Sequence, residues 1–248
     1  MEVKTLTAPP IKEVIFDIRV NQLGIGSDQI LKYFDDQYLS IQEQFPEKHA
    51  LYQFETKFDL SSPKNLSVDN QLDGYHCLSR DKQKIVQFRK NGFTFNQLSP
   101  YPGWDTFIQE AEQNWKIYSG GLSGIVTRLA IRTINELVLP SKIANIDEFL
   151  NLKINIPATP NLLPENYNIR SSFKYEDFKV IISLVTLMPT PDPINTKVLL
   201  DIDLIFEHPA EGYSLDSQEI IQVFNKMHDI KNLLFFDCLT EKGGEVLI

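Results

Sequence analysis

The sequence predicts an α+β fold, a tandem pseudo-repeat of β-α-β(3–4)-α units in which antiparallel sheets are each packed on a long helix. Three observations carry this expectation. Runs of period-two alternation dominate the chain. Lys90-Asn91-Gly92 is a hairpin signal that joins two of them antiparallel. The order strand, short helix, three or four strands, longer helix occurs twice. A chain of 248 residues with 42% hydrophobic and 11% aromatic content can bury a sizeable core and is too apolar for disorder.

In the first half, Val14, Phe16, Ile18 and Val20 alternate with Ile15, Asp17 and Arg19, which predicts a strand over Pro10–Val20. Ser27 then caps a short helix through Phe34, with Asp28 in its first turn. Leu51–Leu60 alternates again, and Ser61–Asn70 is a polar loop. Gly74–Ser79, Lys84–Arg89 and Phe93–Gln97 complete the strands, and Pro100-Tyr101-Pro102-Gly103-Trp104 ends them. Phe107, Ala111 and Trp115 recur every fourth residue in a helix over Asp105–Tyr118.

The pattern restarts after Gly120-Gly121-Leu122-Ser123-Gly124. A long strand runs from Ile125 to Leu139, and Asn145 precedes a short helix at Ile146–Leu150. Three strands follow at Tyr167–Lys174, Phe178–Leu187 and Lys197–Phe206, with a stiff loop at Pro189–Pro193. A final helix begins at Asp216 or Ser217, with Ile220, Phe224 and Met227 facing inward. Residues 1–119 and 120–248 thus form two halves. They are expected to build one compact body, with their sheets able to pair edge to edge; the alternative is two packed domains joined at Ser119–Ser123.

Composition excludes several classes. The formal charge is −9, and residues 201–248 hold 10 acids against 3 bases. Nucleic-acid binding is disfavoured, because a duplex binder presents a basic face. The one basic run, Arg80, Lys82, Lys84, Arg89 and Lys90, reads as a solvated hairpin. No apolar run approaches the 18 or so residues of a membrane span, and the first residues lack a signal-peptide core. Cys77 and Cys238 suggest neither a disulfide framework nor a zinc site, so the expected compartment is the cytoplasm. No P-loop, dinucleotide fingerprint, nucleophile elbow or H-E-x-x-H is present, and no cofactor, metal or catalytic residue is expected.

Three constellations are candidates for binding. Asp201 and Asp203 share one face of a strand, as a wet face or as a pair for metal or phosphoryl chemistry. Arg128 and Arg132 share a face of the long strand. They form a charge ladder with the two aspartates if the strands are neighbours, or else grip an anion or a partner's carboxylates. Trp104 either seals the sheet against its helix or anchors a partner, and His228 serves either packing or proton transfer.

Ala8-Pro9-Pro10-Ile11-x-Glu13-Val14-Ile15-Phe16-x-Ile18-Arg19, Tyr101-Pro102-Gly103-Trp104, Arg128-Leu129-x-Ile131-Arg132-x-Ile134-Asn135, Leu200-Asp201-Ile202-Asp203, and His228 followed by Phe236-Asp237-x-Leu239-Thr240 occur in that order. Together they resemble a sporadically distributed family of bacterial proteins of about this length. Thr133 departs from the pattern, where an aromatic residue is more typical. The resemblance brings no catalytic assignment, and the family's patchy distribution is similar to that of genes in defence or toxin–antitoxin islands.

The expected function is a non-catalytic, cytoplasmic protein-binding or regulatory role, antitoxin-like or within a defence system, with a protein partner and no membrane contact. The alternatives are a sensor of a small anionic ligand or nucleotide on the Arg128/Arg132 face, and a metal-dependent phosphodiesterase or nuclease using Asp201 and Asp203.

Overall fold

A computed structural model of the chain describes residues 6, 8–58, 66–151, 164–187, 195–207, 212–214 and 218–247; the side chains of 55–58, 66–69, 143 and 144 lie outside that description. The elements are β1 (Ile11–Gln22), α1 (Ser27–Ile41), β2 (Glu47–Phe58), β3 (Leu66–Leu78), β4 (Lys84–Arg89), β5 (Gly92–Leu98), α2 (Trp104–Ser119), β6 (Gly124–Leu139), a 3₁₀ helix (Ile143–Glu148), β7 (Asn168–Tyr175), β8 (Phe178–Thr186), β9 (Thr196–Glu207), β10 (Tyr213–Ser214), α3 (Glu219–Asp237) and α4 (Glu241–Glu245). The fold is α+β. The stiff loop expected at Pro189–Pro193 and the helix start expected at Asp216 or Ser217 both lie outside the described residues.

All the strands among the described residues join one antiparallel sheet in the order β2-β3-β4-β5-β1-β6-β9-β8-β7, with β10 paired to β6. The centre is the pair β1·β6, in which Phe16 faces Ile131 and Ile15 faces Arg132. The two halves of the chain therefore meet through backbone hydrogen bonds, in one continuous sheet instead of two. Alternation sends Val14, Phe16, Ile18, Ile131 and Leu137 to the face that carries the helices, where they are buried. There Phe16 stacks on Phe224 of α3 at 3.9 Å between ring centroids, Phe95 meets Phe107 of α2, and Phe34 of α1 lies against Phe88 and Tyr118. Aromatic pairs of this kind add roughly 0.5–1.5 kcal/mol each beyond their buried area.

Two elements exceed the sequence expectation. The helix expected to stop at Phe34 continues to Ile41, because its apolar stripe of Ile30 and Phe34 resumes at Ile41, which is buried with the nearby Phe45. The expected polar loop Ser61–Asn70 is partly strand, since β3 begins at Leu66. The short helix expected at Ile146–Leu150 forms as a 3₁₀ turn a little earlier, at Ile143–Glu148. Thr240 caps α4 by accepting from the Gly243 amide and donates to the Glu148 carbonyl, which ties the C-terminus to that turn. No helix among the described residues is long and apolar enough to cross a membrane.

Candidate ligand cavity

The α2 helix starts at Trp104 because Gly103 adopts φ +96°, a conformation that side-chain-bearing residues avoid. That turn throws the indole towards α3. Its Nε1–H donates to Asn225 Oδ1 at 2.9 Å, and its ring stacks on the His228 imidazole with centroids 4.1 Å apart and planes 12° apart. Trp104 and His228, expected separately from sequence, thus form one unit that bridges the two halves. The unit borders a cavity of about 370 Å³ between α3, the start of β1, β6 and the Tyr101-Pro102-Gly103 turn.

The cavity combines apolar walls with three polar groups that lack partners. Its walls include Pro9, Pro10, Ile11, Phe235 and Phe236. Lys231, on the buried stripe of α3, is only 5% exposed, lines the cavity, and no Asp or Glu stands beside it among the described lining residues. Burial alone pulls its ammonium down to about 8 from an ordinary value of 10.5. The His228 Nε2 sits 3.0 Å from the Asn232 side-chain nitrogen, while its Nδ1 is buried without a partner. With the amide donating to Nε2, the ring proton resides on Nδ1. Burial, assisted by Lys231, drives the imidazole pKa down to about 3, so the ring is neutral at pH 7. The Thr133 hydroxyl is likewise buried and unpaired. Asn135 beside it donates to the Leu200 carbonyl at 3.0 Å.

No Asp or Glu is among the described residues that line the cavity. One buried amine, an imidazole N–H and a hydroxyl, surrounded by aromatic and proline side chains, can receive an anion or a carbonyl oxygen without competition from a built-in carboxylate.

The remaining predicted residues lie on the opposite face of the sheet. Arg132 faces Asp203 across the β6·β9 ladder and reaches diagonally to Asp201 with a bidentate pair of bonds, Nε–Oδ1 2.8 Å and Nη2–Oδ2 2.6 Å. These bonds raise the Arg132 pKa above its ordinary value. Arg128 stands opposite Glu207 and instead binds Asp17 of β1 at 3.0 Å. Asp17 also accepts from Arg89 at 2.7 Å and from Thr94 at 2.9 Å. Asp203 has its carboxyl pKa raised, mainly by burial. Other members of the basic run also have acidic neighbours, Lys84 at Glu110 and Lys82 at Glu47. His49 and His76 stand across the β2·β3 ladder, whereas His208 lies outside the described residues. Among the described residues no group of three or more His, Cys, Asp or Glu side chains is placed to hold a metal ion.

Sequence reasoning missed Lys231 and Asn232. The available signal was a flaw in a pattern: the inward stripe Ile220, Phe224, Met227 continues at helical spacing to residue 231 and then Phe235, and a lysine occupies the fourth place. The separated motifs Pro9-Pro10, Tyr101-Pro102-Gly103-Trp104, Thr133 with Asn135, and His228 all converge on this cavity. No protein-family model matches the chain, and no curated protein matches it either.

Proposed function

We propose that the protein is a non-catalytic binding protein whose cavity takes a small organic anion, with the negative charge at Lys231 and an apolar body against the Trp104–His228 pair. The observation that carries this reading is the buried Lys231 ammonium, which lines the cavity without a counter-charge among the described residues. An unpaired buried cation is unfavourable by several kcal/mol, and an anionic ligand relieves that cost on binding. This reading keeps the anion-sensor alternative but moves it from the Arg128/Arg132 face, where Asp17 and Asp201 already engage the guanidinium groups.

The test is thermal unfolding with added acetate, benzoate or glyoxylate, read beside Trp fluorescence. A ligand that binds only the folded state raises Tm with concentration. The expected result is a saturable rise for at least one of these carboxylates, lost in Lys231→Met. No rise in the wild type, or an equal rise in the variant, would overturn the proposal.

A protein-partner role draws support from a different surface. Glu219, Asp229, Asp237, Glu241 and Glu245 are exposed on α3 and α4 and outnumber the exposed Lys226 and Lys242 there, an acidic excess suited to a basic partner. An antitoxin-like or defence-system role, and the family resemblance itself, belong with this reading. Its check is affinity capture from the host, with a stoichiometric partner that is released by salt. Capture that survives charge reversal at these carboxylates would sink it.

The element order supports a tandem repeat as well: β5-β4-β3 flank β1 as β9-β8-β7 flank β6, and α2 follows β5 directly whereas α3 follows β9 after the two-residue β10.

A further inference from the structure

We propose that Lys231 is a nucleophilic amine that captures a small aldehyde or 2-oxo acid in the cavity as a reversible imine. The inference rests on the ligand-binding reading above and names the reactive class of its ligand.

Geometry supports it in three ways. Lys231 is the only primary amine among the described residues lining the cavity, and it is 95% buried, counting from its 5% exposure. No Asp or Glu among the described lining residues holds the amine as an ammonium, so passing to the nucleophilic neutral form breaks no ion pair there. Ile11, Pro10, Phe235 and Phe236 line the same cavity and give the ligand body of an imine an apolar wall to pack against. The unpaired His228 Nδ1 and Thr133 hydroxyl supply donors for a carbonyl oxygen or for the carboxylate of a 2-oxo acid.

The step balances without an oxidant or reductant. The Nζ lone pair attacks the carbonyl carbon, and one N–H proton passes to the oxygen to give a carbinolamine. A second proton moves from nitrogen to that hydroxyl as the C–O bond breaks. Water leaves, and a C=N bond joins Nζ to the ligand carbon.

Two other titratable groups line the cavity among the described residues, His228 on the same helix and Tyr101 from the turn before α2. Burial keeps both neutral at pH 7, by lowering the imidazole pKa and raising that of the phenol. The neutral-amine fraction of Lys231 therefore reaches one half near pH 8 and levels off above about pH 9, whereas that of a fully solvated lysine is still rising at pH 10.

The experiment treats the full chain with glyoxylate and cyanoborohydride at pH 7, followed by peptide mapping. Reduction of the imine leaves one carboxymethyl group on the reacting nitrogen. The expected result is modification of Lys231 at least about tenfold faster than of the exposed Lys82 and Lys116, given its larger neutral fraction. Its rate should pass its midpoint near pH 8 and level off above about pH 9. Lys231→Arg and Lys231→Met, each checked for folding by circular dichroism, should lose the fast phase and leave the slow one. If Lys231 reacts no faster than the exposed lysines while benzoate or acetate still raises Tm, the imine is overturned and the anion-binding reading stands. If neither effect is seen, both fall.

Discussion

Replacing Lys231 with methionine should make the protein more stable, and the size of the gain follows from its environment. The side chain is 5% exposed, and its ammonium has been pulled from 10.5 to about 8 by burial alone. At about 1.4 kcal/mol per pKa unit, the protonated group costs the folded state about 3 kcal/mol at pH 7. Methionine has nearly the same length, no charge to desolvate, and apolar neighbours in Phe235 and Ile11. For a chain of this size about 3 kcal/mol corresponds to roughly 6–12 °C in Tm. The pH dependence has a definite sign. Between about pH 8 and 10.5 the unfolded chain holds this proton and the folded chain does not, so wild-type stability gains with rising pH through that window. The advantage of Lys231→Met is then full below pH 8 and shrinks as pH approaches 10.5. Urea unfolding of both proteins at pH 7 and pH 9.5 measures it, with the difference between them cancelling groups they share. A variant no more stable than wild type at pH 7, or a gap that does not narrow at pH 9.5, would refute the claim that Lys231 is a buried, uncompensated cation.

Three further perturbations probe the cavity, the opposite face and the sheet. His228, with its pKa lowered to about 3, contributes stability that is present above pH 6.5 and lost as pH falls towards 3; His228→Gln should be less stable at pH 7 but flatter with acid, and parallel unfolding curves at pH 7 and pH 4 would contradict this. Arg132→Ala removes a bidentate bond to Asp201 from a partly exposed site, so a loss of about 1 kcal/mol is expected, with the thermal response to carboxylates unchanged because the residue lies across the sheet from the cavity. A changed ligand response would show that the two faces are coupled. Gly74→Ala would place a Cβ 1.8 Å from the Phe88 carbonyl oxygen, backbone that cannot step aside without disturbing the β3·β4 ladder; a loss of about 2–3 kcal/mol in chemical denaturation is expected, and a neutral effect would mean that this approach is looser.

Much of the fold was legible because the signals are local. Alternation places Val14, Phe16, Ile18 and Val20 on one face wherever their strand lies, and Lys90-Asn91-Gly92 turns the chain back on itself whatever surrounds it. The boundaries of β4 were readable to the residue for the same reason. The extent of α1 was not. The helix expected to end at Phe34 continues through Asp35, Asp36 and Gln37, carried past them by burial of Ile41 and Phe45 in the core.

The candidate site divides in the same way. Trp104 and His228 were singled out as chemically capable residues, but 124 positions of chain separate them. Whether such rings stack depends on where α3 crosses the start of α2, which is a property of the packed layers. Lys231 is the sharper case. A lysine in sequence has a strong prior for the surface, because its charge prefers water. The stripe of Ile220, Phe224, Met227 and Phe235 fixes which side of α3 turns inward, so the sequence by itself determined that residue 231 points towards the sheet. Only the tertiary structure decided that no carboxylate meets it there among the described residues, and that a cavity does. Periodicity is written in the backbone's own geometry, whereas the solvation of a charge is set by whichever distant segments close around it.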